Sequence, residues 1–190
     1  MEKKILIKDV CCALCAVVFV CLMGFLASRW SLLATYLKFG YIADCFSRGE
    51  RMQDFIDFSV CAFKEEAIYR CLPILITTSI IMIVKPPVLK KISIVLSAII
   101  IILVQLKFGY DHFHPELGCT DYWFYIRLQG GIGIILAGTY CLVFWLSMRR
   151  FYIGSKHPII SFLLCHVLAI LASITVHAVN NCLVIIAQTF

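Results

Sequence analysis

Five apolar runs, each long enough to cross a bilayer, dictate what this chain can fold into. A hydrocarbon core roughly 30 Å thick takes about 20 apolar residues at 1.5 Å rise each. No water reaches that layer to satisfy backbone N–H and C=O groups, so a lone apolar run must close its own hydrogen bonds as an α-helix. The runs cover about Val10 to Ala27, Phe58 to Val84, Ile92 to Phe108, Phe124 to Met148, and Pro158 to at least Asn181. The third can extend to His114, just ahead of Pro115. Hydrophobic residues make up 62% of the 190 and charged ones 15%, and mean hydropathy is +0.96, beyond what a soluble core requires. The expectation is one all-α polytopic membrane domain over residues 1–190, with about five transmembrane helices and no soluble lobe, internal repeat or low-complexity linker.

Punctuation along the chain sets the edges of these runs. Lys3, Lys4 and Lys8 give the first a signal-like basic start, but its apolar core exceeds a usual signal segment. Phe25 also stands where cleavage after Ala27 would want a small residue. It reads as a retained helix. From Arg29 to Asp57, charges alternate with Trp30, Leu33, Tyr36, Phe39 and Tyr41, which suits an interfacial amphipathic segment. A short sixth span at 30–46 is the alternative there. Lys85-Pro86-Pro87 stops the second run, Gly130, Gly131, Gly133 and Gly138 permit close helix contacts in the fourth, and Pro158 suits a first helical turn.

Charge and cysteine content exclude other classes. A net charge of +6 would suggest nucleic acid for a soluble chain, but the cations collect at Lys3 to Lys8, Lys85 to Lys91 and Arg149 to Lys156, and read as topology signals. No nucleic-acid partner is expected; the bilayer is the partner. With five spans the three clusters share one face, cytoplasmic by the positive-inside rule, and the opposite face looks outward. The odd count of 11 cysteines, most of them in apolar runs and three at Cys11-Cys12-x-x-Cys15, fits packing better than a disulfide framework.

Ionisable groups at membrane depth cost roughly 2.5 to 3.5 kcal/mol each on insertion scales and mark functional sites by default. Three helical patterns carry them: Glu65-Glu66-x-x-x-Arg70, Phe108-x-x-x-His112 and His177-x-x-x-Asn181. The first opens the second run, while the other two close the third and fifth. Because consecutive spans alternate direction, all three gather toward one membrane face. Residues four apart lie about 40° apart around a helix. Glu66 is thus expected to pair with Arg70 as structural support, freeing Glu65 for a cavity. Phe108 lies one turn below His112 and can wedge its ring, His177 and Asn181 share a stripe, and Asn180 points elsewhere. A carboxylate and a histidine can hold a water and take its proton. A second His/Asn pair can stabilise an oxyanion, worth about 10² to 10³ in rate per donor. That chemistry is amide hydrolysis without a serine or cysteine nucleophile.

In this order and setting the three patterns resemble the CAAX prenyl protease and bacteriocin-processing family of intramembrane endopeptidases, with its EExxxR, FxxxH and HxxxN/D motifs. The resemblance covers residues 54–184. It implies a glutamate-type protease in which Glu65 and His112 activate water while His177 and Asn181 form an oxyanion hole, with Glu66, Arg70 and Phe108 in support. No cofactor is implied. Implied substrates are membrane-associated peptides or prenylated proteins, and the implied setting is a prokaryotic cell membrane, with leader removal, peptide maturation or bacteriocin immunity among the uses. Asp111 and His114 crowd the second motif and His114 can be mistaken for its histidine; Cys182 borders the third.

Other readings of the same residues stay open. Glu65, His112 and His177 would also serve as three ligands to a catalytic zinc, although no HExxH is present. The Glu-Glu-Arg cluster alone could join two helices, and lone histidines often bridge membrane helices. A non-catalytic adaptor that binds a membrane partner protein would need no such constellation.

Overall fold

The computed structural model describes residues 18, 22, 60–113, 115 and 121–189, with side chains up to residue 181. Apart from Val18 and Leu22, the first apolar run lies outside this set, as do the 29–57 segment, His114 and the Cys11, Cys12, Cys15 and Cys182 side chains. The described part is all helix, with four helices long and apolar enough to span a membrane: α1 (Val60–Ile83), α2 (Pro87–Asp111), α3 (Tyr122–Tyr152) and α4 (Pro158–Thr189, apolar through Asn181). No strand occurs among the described residues.

Helix ends follow local chemistry. Val84 leaves the helical region at ψ 116° and Pro86 follows in extended geometry, so the chain reverses over residues 84–86. Pro87 then opens α2 as its first helical residue, five positions before the Ile92 start expected from hydropathy. Its missing N–H costs nothing there, and the stems of Lys90 and Lys91 can run along lipid with their ammonium groups in water. Asp121 caps α3 by accepting from Phe124 N at 3.1 Å. Gly154 takes φ +80° to turn the chain from α3 toward α4. Tight links at 84–86 and 153–157 make neighbouring helices antiparallel, so the start of α1, the end of α2, the start of α3 and the Asn181 region of α4 meet at one end.

Large apolar side chains point away from the bundle. Ile68, Leu72, Ile76 and Ile80 on α1, and Ile92, Leu96, Ile99 and Leu103 on α2, are exposed at helical spacing, the inverse of a soluble domain. Inside, α3 supplies the largest core, built from Phe124, Tyr125, Leu128, Ile132 and Leu136, with Val176 of α4 packed against them. Backbones of α2 and α3 nearly touch: a Cβ on Gly109 would lie 2.8 Å from Gly130 N and 2.8 Å from Ile126 Cα. Only hydrogen fits there.

A π-turn interrupts α1 at Ala67–Cys71, with Leu72 N donating to Ala67 O. Its cause is nearby, since Pro73 has no N–H to offer Tyr69 O, the carbonyl four residues back. Gln105 of α2, fully buried, donates from Nε2 to that carbonyl at 2.9 Å. The turn carries the acidic motif's arginine.

Candidate active site

At the shared end of the bundle, Glu65 and Glu66 project from α1 one turn before Pro73's carbonyl gap, His112 caps the end of α2, and His177 reaches in from α4. The two carboxylates do different things. Glu66 is sealed, with no exposed surface, and its Oε1 lies 3.4 Å from Arg70 Nη1 and 2.9 Å from His177 Nδ1. Its Oε2 accepts from Ser173 Oγ. The expected ion pair with Arg70 is there, and it is only part of what Glu66 holds.

Glu65 faces the histidines with both oxygens: Oε1 lies 3.5 Å from His112 Nε2 and Oε2 lies 3.6 Å from His177 Nε2. Its side chain is 23% exposed and that of His112 is 27%, so this part of the cluster opens outward while Glu66 and Arg70 do not. Those distances are longer than a strong direct hydrogen bond, and a water on the open side of the cluster can hydrogen-bond to Glu65 and His112 Nε2 together.

Proton positions on the histidines follow from their partners. His112 Nδ1 is 2.8 Å from Phe108 O, a carbonyl that only accepts, so Nδ1 carries hydrogen and donates. His177 Nδ1 likewise donates to the Glu66 carboxylate. Both tautomers are thereby set from behind, and each Nε2 is turned to Glu65.

Phe108 sits at the centre of the support. Its ring is 4.4 Å from the His112 ring, 5.1 Å from Tyr69 and 6.5 Å from His177, centroid to centroid. Arg70 Cζ stacks over it at 3.9 Å, a cation–π contact that grows in value once desolvated. Among the described residues, Arg70 Nε, Nη1 and Nη2 have no hydrogen-bond partner, nor does Gln105 Oε1. A Cβ on Gly133 would lie 2.8 Å from Gln105 Oε1 and 3.1 Å from Arg70 Nη2, which places these two polar groups against the α3 backbone together.

Glu65, Glu66, Arg70, Phe108, His112 and His177 therefore converge. Asn181 does not join them by hydrogen bond: among the described residues its partner is Asn180, whose Nδ2 donates to Asn181 Oδ1 at 3.3 Å. Asn180, expected to point elsewhere, is buried and turned to its neighbour. Among the described residues the Asn181 amide donors have no hydrogen-bond partner. Asp111 accepts from Tyr69 Oη at 2.6 Å and pairs with Lys107, tying the end of α2 to α1 beside the cluster. Among the described residues, no group of three His, Cys, Asp or Glu side chains is arranged to hold a metal ion.

Two contributors escaped the motif reading. Ser173 stands one turn before His177, and that spacing was the only signal for it. Gln105 had only its polarity within an apolar run. A second polar cluster lies along the bundle: Tyr140 Oη is 2.8 Å from His166 Nδ1 and 3.5 Å from Cys71 Sγ, and Thr78 Oγ1 is 3.2 Å from His166 Nε2. Phe144 and Phe162 pack on the His166 ring at 4.3 and 4.7 Å.

Comparison with family models, with curated proteins and with solved structures finds no match to this chain.

Proposed function

We propose that the chain is an intramembrane endopeptidase that hydrolyses a peptide bond of a membrane-associated or lipidated peptide, with water activated by Glu65 and His112. One observation carries the reading: a half-open carboxylate faces two imidazole Nε2 atoms, each held from behind through Nδ1. Ionisable groups in membrane helices are costly, and a carboxylate so ordered marks a functional site by default.

In the proposed reaction a water sits on the open side of the cluster, within hydrogen-bond reach of both Glu65 and His112 Nε2. Glu65 takes one proton as the oxygen attacks the scissile carbonyl, and that proton passes to the leaving amine. His177 has committed Nδ1–H to Glu66, so it can reach the oxyanion through Nε2 only when doubly protonated. The Glu66 carboxylate behind it offsets that charge. Asn181 supplies an amide donor from the next turn. A membrane-anchored peptide would enter from lipid between helices, in keeping with the similarity of the three motifs to the CAAX prenyl protease and bacteriocin-processing family.

The test is cleavage of a peptide library, with prenylated and unprenylated members, by the purified protein in liposomes, read by mass spectrometry. Cleavage that Glu65→Gln abolishes and a chelator leaves intact is the expected result. Loss on chelation would move Glu65, His112 and His177 to metal ligands; cleavage surviving Glu65→Gln would refute the reading.

A further inference from the structure

We infer that Ser173 is a positioning residue that clamps Glu66 and, through it, fixes the tautomer and aim of His177; the inference rests on the peptidase reading for its catalytic consequence. The geometry begins with an anomaly. Hydroxyls in membrane helices ordinarily bond back to their own helix, and here Thr77, Thr78, Ser93, Thr139 and Thr175 all do so, donating to the carbonyl four residues earlier at 2.6 to 2.9 Å. Ser173 does not. Its Oγ crosses the bundle to Glu66 Oε2, with Leu136 O of α3 at 3.3 Å as a second acceptor.

Ser173 and His177 are one helical turn apart on α4, and the two oxygens of one carboxylate span that turn. Oε2 takes the Ser173 hydroxyl and Oε1 takes His177 Nδ1–H at 2.9 Å. Arg70 Nη1, at 3.4 Å and also on Oε1, supplies charge from one side only. Without Ser173 the carboxylate can rotate about its last bond toward Arg70, whose donors have no hydrogen-bond partner among the described residues, and His177 Nδ1 loses its fixed acceptor. Ser173 is fully buried, so water cannot readily replace its hydroxyl. Ser173 thus reads as the element that divides Glu66 between Arg70 and His177.

The experiment compares wild type, Ser173→Ala, Ser173→Thr and Ser173→Cys as full chains in nanodiscs. It uses two readouts: ¹⁵N-histidine NMR of the His177 Nδ1–H, and the pH profile of kcat and KM on whichever library peptide the wild type cleaves. Ser173→Ala is expected to lose or broaden the Nδ1–H signal, to lower kcat about tenfold with KM within about twofold, as losing one charge-assisted hydrogen bond implies, and to move the pH profile. Ser173→Thr restores both readouts, and Ser173→Cys, with a weak S–H donor, falls between. A Ser173→Ala protein with wild-type Nδ1–H signal overturns the inference. So does one that loses activity only through melting, with Ser173→Cys behaving as wild type. If wild type cleaves nothing, the peptidase reading fails while the NMR series still decides the clamp.

Discussion

Gly109→Ala offers the sharpest check on how α2 is seated. The added methyl would lie 2.8 Å from Gly130 N, 2.8 Å from Ile126 Cα and 2.9 Å from Ile126 O, all of them backbone atoms of α3. Side-chain tips can rotate aside, but these atoms move only if the helices part. Ordinary contact for such pairs begins near 3.4 Å, so α2 and α3 must separate by about half an ångström along the whole crossing. Overpacking of this kind costs about 1 to 3 kcal/mol, and an obstacle of backbone alone places Gly109→Ala at the upper end. His112 lies three residues further on, so the same shift loosens its 3.5 Å approach to Glu65 and should lower cleavage beyond the stability loss. Gly130→Ala meets its nearest atom, Gln105 O, at 3.3 Å and should cost less; Gly138→Ala meets nothing within 4 Å and should be neutral or slightly stabilising through helix propensity. The assay is SDS-titrated unfolding from mixed micelles, followed by circular dichroism, beside cleavage rates at matched folded fraction. Gly109→Ala within about 0.5 kcal/mol of Gly138→Ala would refute the close crossing.

Three further outcomes follow from buried polar groups. Gln105→Leu keeps bulk but removes the donor to Tyr69 O, and should cost about 1 to 3 kcal/mol in the same unfolding assay; no measurable loss would mean the π-turn satisfies itself. Glu66→Gln removes the ion-pair partner of the buried Arg70 guanidinium and should destabilise by about 3 to 5 kcal/mol, whereas Glu66→Gln with Arg70→Met should recover much of that; an additive double mutant would rule out the pair. Tyr140→Phe strips the donor from His166 Nδ1 and should cost about 1 to 2 kcal/mol in stability, with kcat, KM and their pH profile unchanged per folded molecule; a changed pH profile would place that cluster in the reaction.

Helix positions were readable because they depend on runs of composition. The spans from Phe124 and Pro158 land within about two residues of the observed starts of α3 and α4, and the run that closes at Val84 matches the end of α1 at Ile83. The start of α2 was misplaced because Lys90 and Lys91 interrupt the hydropathy without interrupting the helix. Convergence of Glu65, His112 and His177 followed from helix alternation alone, a matter of parity rather than of packing. Ser173, Gln105 and the Ala67–Cys71 π-turn were not readable in this way. A serine in an apolar helix normally bonds its own backbone, so nothing local distinguishes Ser173 from Thr175; the difference is that Ser173 faces Glu66 across the bundle. Gln105 needed Pro73's missing N–H, four residues from Tyr69 and on another helix, to acquire a partner. Helical angle alone turns Asn180 away from the His177 stripe, yet adjacent amides can reach each other by side-chain length.

The two polar clusters separate function from support by different kinds of group. Around His166 the groups are Thr78, Tyr140 and Cys71, neutral side chains, and the hydrogen bonds close: Thr78 Oγ1 donates to Ile74 O at 2.6 Å, so His166 Nε2 donates to Thr78 while Nδ1 accepts from Tyr140. Nothing there asks for a further ligand, and aromatic rings cover the imidazole. Around Glu65 the arrangement does not close on itself. Arg70 and Glu66 account for one charge of each sign, and Glu65 remains as a second carboxylate before two Nε2 atoms whose own Nδ1 protons are already spent on Phe108 O and Glu66. Three acceptors facing one another repel unless a proton or a water stands between them. A bundle needing only cohesion would have no reason to keep such a group, since an apolar side chain at position 65 would hold α1 without that repulsion. Part-exposed Glu65 and His112, above a sealed Glu66–Arg70–Ser173 base, place that unsatisfied demand where a substrate and its water can reach it.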